Sequence, residues 1–135
     1  KAHLCAGLLK DLGYDKLCIS YGADWYGDTP LNKAIGRINF VKELLEDKRY
    51  KDIKFHLLGC AVPQEFGWYR NEPQIESIDT SSPIMAALEN ITYTLSGLLE
   101  KPKANMNTHF NINGKEVDYP LVLKNVKRFK TINGL

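Results

Sequence analysis

Lys16-Leu17-Cys18-Ile19-Ser20-Tyr21-Gly22, followed by Gly27-Asp28-Thr29-Pro30, is the stretch that decides the fold. Its first part is a short apolar run and reads as a strand. Its second part is a helix start, with Thr29 as a capping hydroxyl and Pro30 at the first helical position, where a missing N–H leaves nothing unpaired. Beyond it, Leu31, Ala34, Ile35, Ile38, Val41, Leu44 and Leu45 recur on one helical face. Strand, glycine-bearing loop and capped helix together make one βα unit.

The same grammar extends both ways. Upstream, Leu4, Leu8, Leu9 and Leu12 sit at helical spacing and Gly13 ends the run. Downstream, residues 53–58 read as a second strand, followed by Gly59. Pro63-Gln64-Glu65-Phe66-Gly67 reads as a short helix or turn, and Ile75-Glu76-Ser77-Ile78-Asp79 as a third strand. Ser82-Pro83 opens a helix expected to run through Ile84, Ala87, Leu88, Ile91, Leu95 and Leu98. Residues 101–117 have hairpin character with a turn at Asn113-Gly114. A last helix follows Pro120 through Leu123, Val126 and Phe129 and ends near Gly134.

This alternation predicts an α/β protein built of parallel βα units. Short apolar strands of that kind are expected to be buried on both faces. Chemistry in such folds gathers in the loops after the carboxyl ends of the strands, here residues 21–29, 59–66 and 79–82. Three strands with open edges make a poor free-standing unit. Residues 1–135 are therefore read as one domain that forms part of a larger sheet or barrel, and the first residue, Lys1 rather than Met, fits a chain that starts mid-protein.

Composition narrows the class. A chain that is 44% hydrophobic and 25% charged is not disordered. Its apolar runs, such as residues 84–88, fall far short of the roughly 20 residues of a membrane span. With 18 Lys+Arg against 16 Asp+Glu, charge alone does not argue for nucleic acid. The three cysteines, Cys5, Cys18 and Cys60, form no CxxC pair and no Cys/His cluster, so no metal site and no cofactor are expected. A reducing, cytoplasmic setting is the simplest reading, and no signal-peptide pattern opens the chain. Asn90-Ile91-Thr92 matches a glycosylation acceptor but falls in a helical pattern.

Asp79 is the sharpest candidate for chemistry. A carboxylate at the end of a strand can serve as nucleophile, base or metal ligand. The competing reading is an Asp that accepts hydrogen bonds from the helix start after it, and sequence leaves both open. Ser77, Ser81 and Ser82 read as turn or cap residues, because no histidine is placed in sequence to activate them. The loop Tyr21-Gly22-Ala23-Asp24-Trp25-Tyr26-Gly27-Asp28 is the second candidate: a glycine after a strand lets main-chain groups approach a flat ligand, and aromatic neighbours can stack on a base. An ordinary connecting loop is the alternative. His56 reads as a satisfied core histidine, and His3 and His109 have no evident partner. Lys124, Lys127, Arg128 and Lys130 read as a solvated basic face that is able to meet phosphates. Trp68-Tyr69-Arg70 reads as packing.

Three segments, in order, resemble the queuine tRNA-ribosyltransferase (tRNA-guanine transglycosylase) superfamily. Residues 17–23 with residues 27–30 resemble its glycine-bearing strand end. His56-Leu57-Leu58-Gly59-Cys60-Ala61-Val62-Pro63-Gln64-Glu65-Phe66 resembles the next strand, with its leucine-glycine pair. Ile75-Glu76-Ser77-Ile78-Asp79-Thr80-Ser81-Ser82-Pro83 resembles the strand that ends in the catalytic aspartate. The likeness covers roughly residues 1–90. It implies a (β/α)8 barrel of which this chain is the carboxyl-terminal portion, since a complete barrel takes about 250 residues. It also implies a glycosyltransferase that exchanges guanine in DNA or tRNA for a 7-deazaguanine through a covalent glycosyl–aspartate intermediate. On that resemblance Asp79 is the nucleophile, Gly22 and Ala23 offer main-chain groups to the base, and Leu58 with Gly59 lines its apolar floor.

The departures matter too. The three-cysteine, one-histidine zinc site of the tRNA-modifying members is missing, and Ser81-Ser82-Pro83-Ile84-Met85 stands where they carry an arginine-containing segment. The phage and bacterial branch that acts on DNA is the closer match. The family's second acid belongs to an earlier strand, so an amino-terminal half or a partner chain is expected to complete the site. Two other classes fit the same residues: a different barrel enzyme acting on a small sugar phosphate, with Asp79 holding substrate or, with Glu76 or Asp24, a metal; and a non-catalytic nucleic-acid-binding α/β domain. The latter predicts an Asp79 turned into a helix cap and no cavity joining the strand ends.

Overall fold

A computed structural model describes residues 1–22, 26–60, 62–103 and 117–135. The elements run α1 (Ala2–Asp11), β1 (Lys16–Ser20), α2 (Pro30–Glu46), a 3₁₀ turn (Lys48–Tyr50), β2 (Lys54–Leu58), a 3₁₀ segment (Pro63–Tyr69), β3 (Ile75–Ile78), α3 (Ser82–Leu88) and α4 (Tyr119–Asn133). The three strands form one parallel sheet in the order β1-β2-β3. The expected α/β class with parallel βα units is what the chain adopts, as an open sheet. The hairpin expected within residues 101–117 and His109 fall largely or wholly outside the described residues.

Local sequence explains the elements. Thr29 Oγ1 accepts from Asn32 N at 3.1 Å, capping α2 ahead of Pro30. At the far end of the chain, Asp118 Oδ1 accepts from Leu121 N at 2.9 Å and caps α4, whose other end closes on Gly134 in the left-handed region. α1 ends as expected, with Gly13 at φ +89°.

α3 is shorter than its periodicity predicts. It stops at Leu88, and Asn90 adopts φ +56°, a conformation asparagine tolerates and a continuing helix does not. Ile91 N then reaches back to Ala86 O at 2.8 Å, and Thr94 and Gly97 pair across a tight turn. The Ile91, Leu95 and Leu98 pattern is therefore not helical.

The strands also differ from expectation. Leu17 and Ile19 of β1, with Phe55 and Leu57 of β2, are buried, but Lys16, Cys18, Ser20, Lys54 and Leu58 on the opposite face are exposed. Among the described residues, only one face of the sheet is covered. Alternation with period two, not continuous apolarity, is the true pattern, and the polar Lys16, Ser20, Lys54 and His56 carry it.

The covered face packs on α2 through Ile38, Phe40, Val41 and Leu44, joined by Phe66, Ala86, Tyr93 and Phe129. Burying side chains of this size contributes on the order of 1.5–3 kcal/mol each. Leu31 and Ile35, expected on the buried face of α2, are instead 41% and 47% exposed. Arg37, by contrast, is fully buried. Leu4, Leu8 and Leu12 of α1 are likewise exposed, while Leu9 packs inward. Among the described residues, no helix is long and apolar enough to cross a membrane.

Candidate active site at the strand ends

Parallel pairing brings the carboxyl ends of all three strands to one edge. Tyr21 follows β1, Gly59 and Cys60 follow β2, and Asp79 and Thr80 follow β3. These residues line one cavity of about 690 Å³, together with Met85, Lys101 and Lys103.

Asp79 is held from the neighbouring strand, not from the helix after it. Its Oδ1 accepts from Gly59 N at 2.8 Å, and its own N–H donates to Leu57 O at 3.2 Å. The start of α3 is served differently: Ser82 N donates to Thr80 Oγ1 at 3.0 Å. The helix-cap alternative for Asp79 is thus not the arrangement found. Its side chain is 55% exposed, and Oδ2 accepts no hydrogen bond among the described residues.

Gly59 is fixed in this role by its backbone. Its φ is +70°, and a Cβ there would lie 2.5 Å from Tyr21 Cδ1. Glycine is required on both counts. The close approach seats the Tyr21 ring over the β2 end, and Lys101 lies over the same ring at 4.7 Å while hydrogen-bonding the Tyr21 hydroxyl. Lys101 and Lys33 also line a smaller adjoining pocket with Gly22 and Asp28.

The other sequence-derived positions fall as follows. Gly22 lies at this edge, with its N–H donating to Ser20 Oγ at 3.1 Å. Ala23, with Asp24 and Trp25, lies outside the described residues. Leu58 is 44% exposed on the open sheet face, beside the cavity and not in its lining. Ser81 and Ser82 line the cavity, and Ser82 Oγ accepts from the Tyr93 hydroxyl at 2.7 Å. Trp68 is exposed, whereas Tyr69 is buried and its hydroxyl donates to Glu65 Oε1 at 3.2 Å.

Two features escaped the sequence. Arg37 and Glu65 form a fully buried ion pair directly beneath the strand ends, with Nε–Oε1 at 2.5 Å. Burial pushes the Glu65 carboxyl above its ordinary value, while the Arg37 guanidinium pulls the other way. An arginine on a helical face otherwise lined by Ala34, Ile38 and Val41 was the available signal. The second feature is His56, which is not a core residue. It sits on the open face with Nδ1 2.8 Å from Ser77 Oγ and Nε2 3.5 Å from Asp79 Oδ1. The expectation that no histidine reaches a serine fails here, because strand pairing brings together residues 21 positions apart.

Comparisons with protein-family models, with curated proteins and with solved structures each returned no match. Function therefore rests on the geometry. Among the described residues no group of three or more His, Cys, Asp or Glu side chains is placed to hold a metal ion.

Proposed function

We propose that this chain is the carboxyl-terminal portion of a (β/α)8 barrel whose site exchanges a guanine in DNA or tRNA for a 7-deazaguanine, with Asp79 as the nucleophile. The observation that carries the reading is the placement of Asp79. It stands at the carboxyl end of a parallel strand, has one oxygen anchored by Gly59 N–H and the other without a hydrogen bond among the described residues, and lines a cavity shared by all three strand ends. A nucleophile that attacks a sugar C1′ needs just that, as in retaining glycosidases.

Three further features support it. The strand order follows the chain order, as successive βα units of a barrel do. The uncovered sheet face, with Lys16, Cys18, Lys54 and His56, corresponds to a barrel interior that an amino-terminal half or a partner chain would close. Lys101 and Lys103 at the cavity rim suit the phosphates of a nucleic acid. In the reaction, Asp79 Oδ2 bonds to C1′ as the C1′–N9 bond breaks, and the incoming base reverses the step.

The test is Asp79→Asn in the intact protein, assayed by incorporation of labelled base into DNA and into tRNA. The expected loss is roughly a thousandfold or more, with a nucleic-acid adduct trapped on the peptide containing Asp79 in the wild type. Unchanged exchange in the variant would sink the assignment. Turnover of a small sugar phosphate with no action on nucleic acid would replace it with the rival barrel enzyme.

A further inference from the structure

His56 stands between Ser77 and Asp79 because the sheet is irregular at that point. β2 and β3 pair Phe55 with Ile75 but His56 with Ser77, so Glu76 is the extra residue in β3. Regular pairing would set Glu76 opposite His56. The bulge instead turns Ser77 onto the His56 face and sends Glu76 to an ion pair with Lys16. The outcome is a row across the open face, Cys18–His56–Ser77, with Asp79 next along β3.

The contact with Asp79 selects between the neutral tautomers of that row. In a neutral imidazole either Ser77 O–H donates to Nδ1, with the ring proton on Nε2, or Nδ1–H donates to Ser77 Oγ, 2.8 Å away. Nε2 is the atom facing Asp79 Oδ1 at 3.5 Å. In the imidazolium both nitrogens carry protons, Ser77 accepts, and Nε2–H still faces the carboxylate. The other neutral tautomer would set a lone pair against an anion. Oδ1 is thus engaged by Gly59 N–H and faced by His56 Nε2, and only Oδ2 is left to react.

We propose that His56, held in place by Ser77, is the positioning residue that reserves Oδ1 of Asp79 and makes Oδ2 the attacking atom. This rests on the transglycosylase reading of Asp79. His56 does not serve the base itself. In-line displacement puts the departing base on the face of C1′ opposite the attacking oxygen, away from an imidazole beside Asp79. In the first step the Oδ2–C1′ bond forms, the C1′–N9 bond breaks with its electron pair leaving on the purine, and the purine takes up a proton. In the second, the incoming base gives up its N9 proton, its N9 bonds to C1′, and the C1′–O pair returns to Asp79. The exchange is proton-neutral overall.

The charge on His56 acts on both steps in opposite senses. An imidazolium stabilises the free carboxylate, so it slows formation of the ester and speeds its loss. Neutral His56 therefore favours accumulation of the covalent adduct. The other charged or titratable groups facing His56 are Cys18 and Lys16 from β1, Lys54 on its own strand, and Glu76 and Asp79 from β3; Cys5 of α1 shares a cleft with Cys18. Lys16 is paired with Glu76, and Lys54 Nζ donates to Pro73 O at 3.1 Å. Asp79 is the carboxylate nearest the ring.

Two readouts on the intact protein test this. Long-range ¹H–¹⁵N spectra of the neutral imidazole are expected to show the Nε2–H tautomer in the wild type; an Nδ1–H tautomer there overturns the proposal whatever the activity. His56→Ala is expected to lower kcat roughly tenfold with KM within about twofold. A kcat for a folded His56→Ala equal to the wild type's removes the His56 assignment alone. If that variant does not fold, a kcat for Ser77→Ala equal to the wild type's overturns it instead. No adduct in the wild type at any pH removes the transglycosylase reading and, with it, the attack assigned to Oδ2.

Discussion

Arg37 and Glu65 meet at 2.5 Å with neither side chain reaching solvent. Three of the four remaining guanidinium N–H donors go to the strand ends: Nη1 donates to Ile19 O at 3.1 Å and to Leu58 O at 3.0 Å, and Nη2 to Gly59 O at 3.0 Å. One side chain from α2 therefore gathers the ends of β1 and β2, the same ends that carry the cavity.

Arg37→Met is expected to destabilise the protein by about 3–5 kcal/mol, since it leaves a buried carboxylate without its cation and takes a donor from three carbonyl oxygens. Arg37→Met with Glu65→Leu is expected to recover part of that loss. The pH dependence has a definite sign. Burial already raises Glu65 above its unfolded value, and removing the guanidinium removes the pull that opposes it. A folded state that binds a proton the unfolded chain has released loses stability as pH rises. The variant's deficit relative to wild type is therefore larger at pH 7.5 than at pH 5, by urea denaturation at both. An equal deficit at the two pH values contradicts this account.

Asn125 is expected to be the lock between α4 and the segment after α3. It is fully buried; its Oδ1 accepts from Tyr93 N at 3.0 Å, and its Nδ2 donates to Ile91 O at 2.8 Å. Asn125→Leu leaves an amide and a carbonyl buried without partners. A cost of about 2–4 kcal/mol is expected, read as a lower denaturation midpoint, whereas exposed Lys124→Ala should change it by less than about 0.5 kcal/mol.

The sequence carried the order of elements because caps, prolines and terminal glycines are local signals: Thr29-Pro30, Gly13 and Gly134 all act where they stand. Asp79 was legible as a strand-end acid for the same reason. What it could not carry was pairing. That Gly59 N–H holds Asp79, that Ser77 faces His56, and that Arg37 reaches Glu65 each depend on contacts between residues 20 or more positions apart. The open sheet face was missed because Cys18 and Leu58 are apolar residues on an otherwise polar face, which made alternating strands look continuous.

The three cysteines should separate by reactivity. Cys5 and Cys18 are exposed, whereas Cys60 is buried and burial pushes its thiol up to about 12. The thiolate is the reactive form, so Cys60 is nearly inert at pH 8. Titration with an aromatic disulfide at that pH is expected to give two thiols quickly and the third only on adding denaturant. Three fast thiols in the native protein would mean that the floor beneath the cavity opens readily.

Lys101 and Lys103 give the last prediction, because they separate a rim that meets phosphates from one that merely stays solvated. Both line the cavity that Asp79 shares, and Lys101 is oriented by the ring and hydroxyl of Tyr21. Each lysine that contacts a phosphate adds roughly 0.9 to the slope of log affinity against log salt for duplex DNA and about 0.7 for a single strand. Lys101→Gln and Lys103→Gln are each expected to weaken binding of the nucleic-acid substrate and to reduce that slope by about one contact's worth. The exposed Lys51→Gln, a residue paired with Asp52 at 3.9 Å, serves as the control and should leave the slope unchanged. Equal slopes in all three variants would remove phosphate contact from the rim. Tyr21→Phe should then discriminate further: it keeps the ring beneath Lys101 but loses the hydroxyl that fixes it, so affinity falls while the slope, which counts charges and not their order, stays that of the wild type.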